Sequence, residues 1–207
     1  MAKTIDTIVE DIYNIFECDE EVKVKKEDLD ELAKGIVDAV TGSIKERERS
    51  RGNLRLSLIG HPDRKIWYTV RDGDKMGKEK LKGQDKIKFL YGHILECLLV
   101  FLSRTAGHTV TDEQKDIKVN GILGHMDCKI DGEVIDIKSA SNYAFQKFKN
   151  GTLAEDDPFG YMAQLAGYEE AEGTSNGGFL AINKETGELA LFQPQELDKP
   201  NIKSRIT

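Results

Sequence analysis

Cysteine is scarce in this 207-residue chain: Cys18, Cys97 and Cys128 stand at irregular spacing. Three such thiols form no disulfide framework and point to a reducing compartment. Simple burial is the plainest role for Cys97 and Cys128. Long hydrophobic runs are missing as well. Residues 94–102 are apolar but too short to cross a bilayer. No leader-like segment is legible, so the expectation is a cytoplasmic protein without a membrane partner. Internal repeats and low-complexity tracts are lacking too, which excludes a solenoid or a tail-like chain.

An excess of positive charge is also absent, because the net charge is −7. Taken alone, that argues against nucleic acid. The distribution argues otherwise: residues 1–50 sum to −6, residues 51–88 to +6 and residues 89–207 to −7. The basic middle can meet phosphates, although a lysine-rich loop over residues 75–88 is equally well read as a solvated surface.

What the chain does have is concentrated in residues 122–138. Asp131-Gly132 is a two-residue hairpin signal of type I′, where both central residues need positive φ. From that turn the pairing runs Ile130 to Glu133, Lys129 to Val134, Cys128 to Ile135, Asp127 to Asp136 and His125 to Lys138. Side chains alternate between faces. One face then carries His125, Asp127, Lys129, Val134, Asp136 and Lys138. The other carries Met126, Cys128, Ile130, Glu133, Ile135 and Ile137. Carboxylates placed opposite each other, with Cβ atoms about 5 Å apart, repel. A hard cation such as Mg²⁺ or Mn²⁺ relieves that repulsion. Scattered charges on a solvated hairpin face are the bland alternative.

Helical apolar spacing marks residues 4–16 and 27–46, a pair of amphipathic helices that would suit an α-hairpin. Residues 54–59 and 66–70 read as short extended segments. Residues 72–84 read as a loop. A long helix over residues 86–104, apolar almost all round, should be buried. It places His93 and Glu96 on one side, and Gly92 suggests close approach of another backbone. An unpaired buried Glu96 would be costly, so a metal or a lysine beside it is expected. Residues 110–119 read as one strand leading into the hairpin. Asp157 caps a helix starting at Pro158 and running to about Ala171. That helix aligns Tyr161, Gln164 and Tyr168. A last hairpin pairs residues 178–183 with 188–193.

Asp127 with Asp136-Ile137-Lys138 resembles the signature of the PD-(D/E)xK nucleases, with Met126 where proline is usual. Three further segments sharpen the resemblance to the RecB-like branch and to its phage-encoded exonucleases. Gly92-His93-Ile94-Leu95-Glu96 is similar to its helical Gly-His motif. Gln164-Leu165-Ala166-Gly167-Tyr168 is similar to its Q-x-x-x-Y motif. Residues 57–68 are similar to its lead-in segment, with Arg64 and Lys65 inside it.

The resemblance covers roughly residues 54–192. It implies an α/β fold: a restriction-endonuclease-like core, a mixed central sheet flanked by helices, and an N-terminal helical appendage. The corresponding division is residues 1–50 as appendage and 51–207 as nuclease domain. It implies a Mg²⁺- or Mn²⁺-dependent deoxyribonuclease, most simply an exonuclease. Asp127, Asp136, the Ile137 carbonyl and Glu96 or His93 would hold the metal. Lys138 would activate water. Arg64, Lys65, Tyr161, Gln164 and Tyr168 would meet DNA or position the lysine. Phage or host recombination proteins would be further partners, in the cytoplasm of a bacterial host. An endonuclease of the same fold, or a catalytically silent DNA-binding or phage-structural module, stays open. Some relatives bind an iron–sulfur cluster through four cysteines. Here Asp63 occupies the lead-in position and no cysteine follows Cys128, so no cluster is expected.

Overall fold

The structure is a computed structural model that describes residues 3–45, 53–73, 81–202 and 204. Among the described residues six α-helices run in chain order: α1 (Ile8–Glu17), α2 (Lys26–Ile44), α3 (Asp63–Asp72), α4 (Gly83–Thr105), α5 (Asn142–Lys149) and α6 (Tyr161–Glu172). The strands are β1 (Val110–Thr111), β2 (Lys115–Val119), β3 (Ile122–Met126), β4 (Cys128–Ile130), β5 (Glu133–Ala140), β6 (Gly178–Asn183) and β7 (Leu189–Phe192). The main sheet has the order β1-β4-β5-β6-β7, and β2 and β3 form a separate ribbon. Among the named strands of the described residues, only β5 and β6 pair in parallel. A parallel pair needs a long crossover, and α5 and α6 provide it.

Burial on both faces explains the sequence of the central strands. Along β6, Phe179 and Ala181 enter one core with Phe145, Phe148, Met162, Leu165 and Val134, the side of α5 and α6. Leu180 and Ile182 enter a second core with Ile8, Ile12, Leu99, Ile135 and Ile137, the side of α1 and α4. Fully burying one Leu, Ile or Phe is worth about 1.5–3 kcal/mol, so these two layers hold the sheet. Both N-terminal helices lean on α4. Ile8 and Ile12 of α1 are buried, whereas no residue of α2 is.

The turn at Asp131-Gly132 forms as the dipeptide dictates, with φ of 52° and 92°. Cys128, Lys129 and Ile130 pair with Ile135, Val134 and Glu133 as expected. Pairing stops there. β3 swings away to β2, so His125 stands opposite Asp116 rather than Lys138, and Met126 joins the α6-side core instead of sharing a face with Cys128. Residues 110–119 divide accordingly between the main sheet and the ribbon.

Other expectations also change. Residues 56–58 form a 3-10 turn, and residues 66–70 lie in α3. Ile66, Trp67, Tyr68 and Val70 suit a strand, but no neighbouring strand edge pairs with them, and β-propensity is realised only through packing partners. Most of the loop expected at 72–84 lies outside the described residues. α4 forms, yet its first half is exposed at Ile87, Phe89 and Tyr91. Among the described residues no backbone presses on Gly92; an added Cβ would make ordinary contact with Ser139 Oγ at 3.6 Å. α6 starts at Tyr161, three residues past Pro158, and Asp157 Oδ2 accepts the Met162 N–H at 2.8 Å. No described helix is long and apolar enough to cross a membrane.

Candidate active site

The site lies where the β4–β5 ladder breaks. Continuing the ladder would give the Ile137 N–H a backbone acceptor. Asp127 leaves the strand at that point, and its Oδ2 accepts the Ile137 N–H at 2.7 Å. A carboxylate thus replaces a ladder carbonyl. In an extended strand, one residue's N–H and C=O point to the same edge. The Ile137 carbonyl therefore lies on Asp127's side, while its side chain is buried in the core beside α4.

Asp136 and Lys138 flank Ile137 on the opposite face. Asp136 is only 2% exposed. Lys138 Nζ is 2.5 Å from Asp136 Oδ2 and 4.6 Å from the centre of the Tyr161 ring. Burial pushes the Asp127 carboxyl far up from the ordinary range. The charges of Asp136 and Glu96 push the same way, and Lys138 and the Ile137 N–H only partly offset them. Asp136 is raised as well, first by burial, against the pull of Lys138. Burial pulls the Lys138 ammonium down, but Asp136 and Asp127 more than reverse this, so it stays charged.

α4 delivers Glu96 and His93 towards these groups. Glu96 is mostly buried, and His93 Nδ1 lies 3.7 Å from its Oε2 with the His93 side chain 63% exposed. Three carboxylates, Asp127, Asp136 and Glu96, thus act on one another around a single ammonium. Such an excess of buried negative charge with oxygen donors suits a hard divalent cation. Among the described residues, no three His, Cys, Asp or Glu side chains converge as a ready-made shell. That still fits Mg²⁺, which usually keeps several waters and takes one or two carboxylates. Cys128 is buried with the apolar residues facing α1 and α4, not among these carboxylates.

α6 supplies the third wall. Gln164 Nε2 lies 2.6 Å from Tyr168 Oη, and Tyr168 donates to the His125 carbonyl at 2.7 Å. Burial pushes the Tyr168 hydroxyl far up, so it remains a donor. Tyr168 therefore ties α6 to the residue two before Asp127. Tyr161 is held up by burial too and lies under the lysine. Arg64 and Lys65 sit on α3 instead of among the carboxylates. Lys65 Nζ lies 3.3 Å from the His61 ring. The lead-in segment still reaches α6 through a glycine contact: an added Cβ on Gly60 would lie 2.2 Å from Gly160 Cα.

Gln114 was not legible as a site residue. Its N–H donates to the Asp127 carbonyl at 2.8 Å. Its side-chain amide donates to Glu96 Oε1, and its Oε1 meets His125 Nε2 at 2.7 Å. His125 Nδ1 in turn contacts Asp116 Oδ1 at 2.9 Å. One residue thus fixes both Asp127 and Glu96. It stands with φ of 50° in the turn between β1 and β2. Nothing in the polar run Asp112-Glu113-Gln114 singles it out by spacing.

No protein-family model matches the sequence, and no curated protein matches it in sequence. Solved structures do match. A phage-related exonuclease from Haemophilus somnus 129PT has 16% identity and a TM-score of 0.47, over 74% of this chain and 90% of that one. An alkaline exonuclease from Laribacter hongkongensis has 13% identity and a TM-score of 0.50, over 75% of this chain and 84% of that one. Identity this low speaks for the fold alone: the chain shares the fold of the Laribacter hongkongensis enzyme, a mixed α/β architecture with a mixed sheet between helices.

Proposed function

We propose that this chain is a divalent-metal-dependent deoxyribonuclease that works from DNA ends. One observation carries the proposal: Asp127 leaves its strand to close the ladder at Ile137, beside the buried ion pair of Asp136 and Lys138. A purely structural ion pair has no need of a second buried carboxylate pushed up by its neighbours. Asp127, Asp136 and the Ile137 carbonyl would hold Mg²⁺ or Mn²⁺, with Glu96 completing the set directly or through water and His93 beside it. Bound there, the ion supplies a lower pKa for a coordinated water and polarises a phosphate. Lys138 orients the attacking water and offsets charge that grows on the phosphate oxygens. Tyr161 shapes the position of the ammonium. Tyr168, held by Gln164, fixes the end of β3 just before Asp127, and Arg64 and Lys65 meet the DNA backbone.

The test is digestion of linear and covalently closed circular DNA with Mg²⁺, with Mn²⁺ and with EDTA. An exonuclease degrades the linear form alone and only with metal. Cleavage of the circle would make the chain an endonuclease. Inertness of both substrates in folded protein would leave a silent DNA-binding module.

A further inference from the structure

α3 carries large side chains that stay about half exposed. None of its residues is buried, although it holds Trp67, Tyr68 and Val70. Trp67 is 52% exposed and Tyr68 40%. The two rings meet edge to face, with centres 4.9 Å apart. Cations lie over them: the Arg71 guanidinium is 3.8 Å from the Trp67 ring centre and 4.9 Å from that of Tyr68, and Arg64 is 5.9 Å from Tyr68. Asp72 shares Arg71. Open aromatic rings interleaved with guanidinium groups are the footprint of unpaired nucleic acid, whose bases stack and whose phosphates meet the cations. In sequence, the segment 51–88 that contains α3 sums to +6 in a chain of −7, which adds charge complementarity.

The platform also leads to the candidate site. From Trp67 the helix runs back roughly 6 Å of axial rise to Asp63. Lys65, within that turn, meets His61 just before it, and then Gly60 presses on Gly160. The Phe159 ring next to Gly160 stacks on Tyr161, with centres 5.4 Å apart, and Tyr161 carries Lys138.

We infer that α3 is a base-stacking platform for single-stranded DNA, with Trp67 as the stacking surface and Arg71 and Arg64 as the phosphate and ring-capping cations. It deepens the nuclease reading by giving the substrate an unpaired strand next to the reacting phosphate.

Trp67 is the sole tryptophan, so it reports directly. The protein is titrated in EDTA, where no cleavage intrudes, with a single-stranded oligonucleotide and with a blunt duplex. The single strand should quench tryptophan fluorescence and the duplex should do so far less. With a labelled strand, Trp67→Ala should weaken binding about tenfold, the scale of one lost base–aromatic stack. Trp67→Phe should keep most of the affinity, which excludes misfolding as the cause. Unchanged fluorescence together with unchanged affinity in Trp67→Ala would overturn the inference. So would a concentration-dependent rise in mass without DNA that Trp67→Ala abolishes, because the face would then bind a second copy. Because binding is read without catalysis, quenching by a protein that never cleaves would sink the nuclease reading and leave the platform standing.

Discussion

At the scale of single residues, Asp127 has two separable duties. It accepts the Ile137 N–H, and it adds a buried negative charge. Asparagine keeps the acceptor and removes the charge, whereas alanine removes both. Repulsion alone would suggest that either substitution stabilises the metal-free protein. With the hydrogen bond known, only Asp127→Asn should hold or raise the melting temperature. Asp127→Ala leaves a buried N–H unsatisfied and should lose about 1–3 kcal/mol in urea unfolding. Equal stability of the two variants would contradict the ladder-closing role. Gln114 acts one step further out. Gln114→Ala frees Glu96 from its amide donor and should weaken Mg²⁺ activation about tenfold, the usual loss for a residue that orients a ligand. Saturating Mg²⁺ should restore turnover. A loss that added metal cannot reverse would mean that Gln114 merely supports the fold.

At the scale of elements, glycine contacts and ion pairs decide how the site is framed. Gly160 sits at φ 75°, and a Cβ there would lie 2.5 Å from Gly60 Cα. Gly160→Ala should therefore destabilise the protein by about 2 kcal/mol, through overpacking and a left-handed backbone. A urea midpoint matching the parent would show that the lead-in segment is not clamped to α6. Glu172, at the end of α6, pairs with Lys129 of β4 at 2.6 Å and Lys115 of β2 at 2.9 Å. Burial raises its pKa, but the two lysines outweigh burial and leave it below the ordinary 4.5. A depressed carboxylate stabilises the fold fully above its unfolded pKa and loses that effect as pH falls through the folded one. The melting temperature of Glu172→Gln should thus lie below that of the parent at neutral pH, with the gap closing as the pH drops below about 4. A gap independent of pH would mean packing, not charge.

Across the whole molecule, the legible parts were those with local cause. The Asp131-Gly132 turn, α4, α6 and the last hairpin each rest on turn chemistry or a clear period, and the structure has them. The dissolved hairpin end was not legible, because one unpaired residue at Asp127 leaves no mark on an alternating pattern. His125 takes its partner Asp116 from another strand, a choice made by tertiary pairing. α3 was hidden for a related reason: its strand-like residues met no sheet. Asp136 and Lys138 on one face of β5 were legible from alternation, but the expected pairing of Asp127 with Asp136 does not form, because Asp127 stands between β3 and β4 and accepts the Ile137 N–H; Gln114 became visible only once the β1–β2 turn and α4 were in place. The central claim is that these buried carboxylates hold a divalent ion that makes the chain a DNA nuclease. The direct measurement is release of nucleotides from linear DNA as Mg²⁺ or Mn²⁺ is titrated, in the parent and in Asp136→Asn. The parent should be silent in EDTA and active with metal, and folded Asp136→Asn should lose at least about a hundredfold in rate. Metal-independent cleavage, or an Asp136→Asn variant as active as the parent, would contradict it.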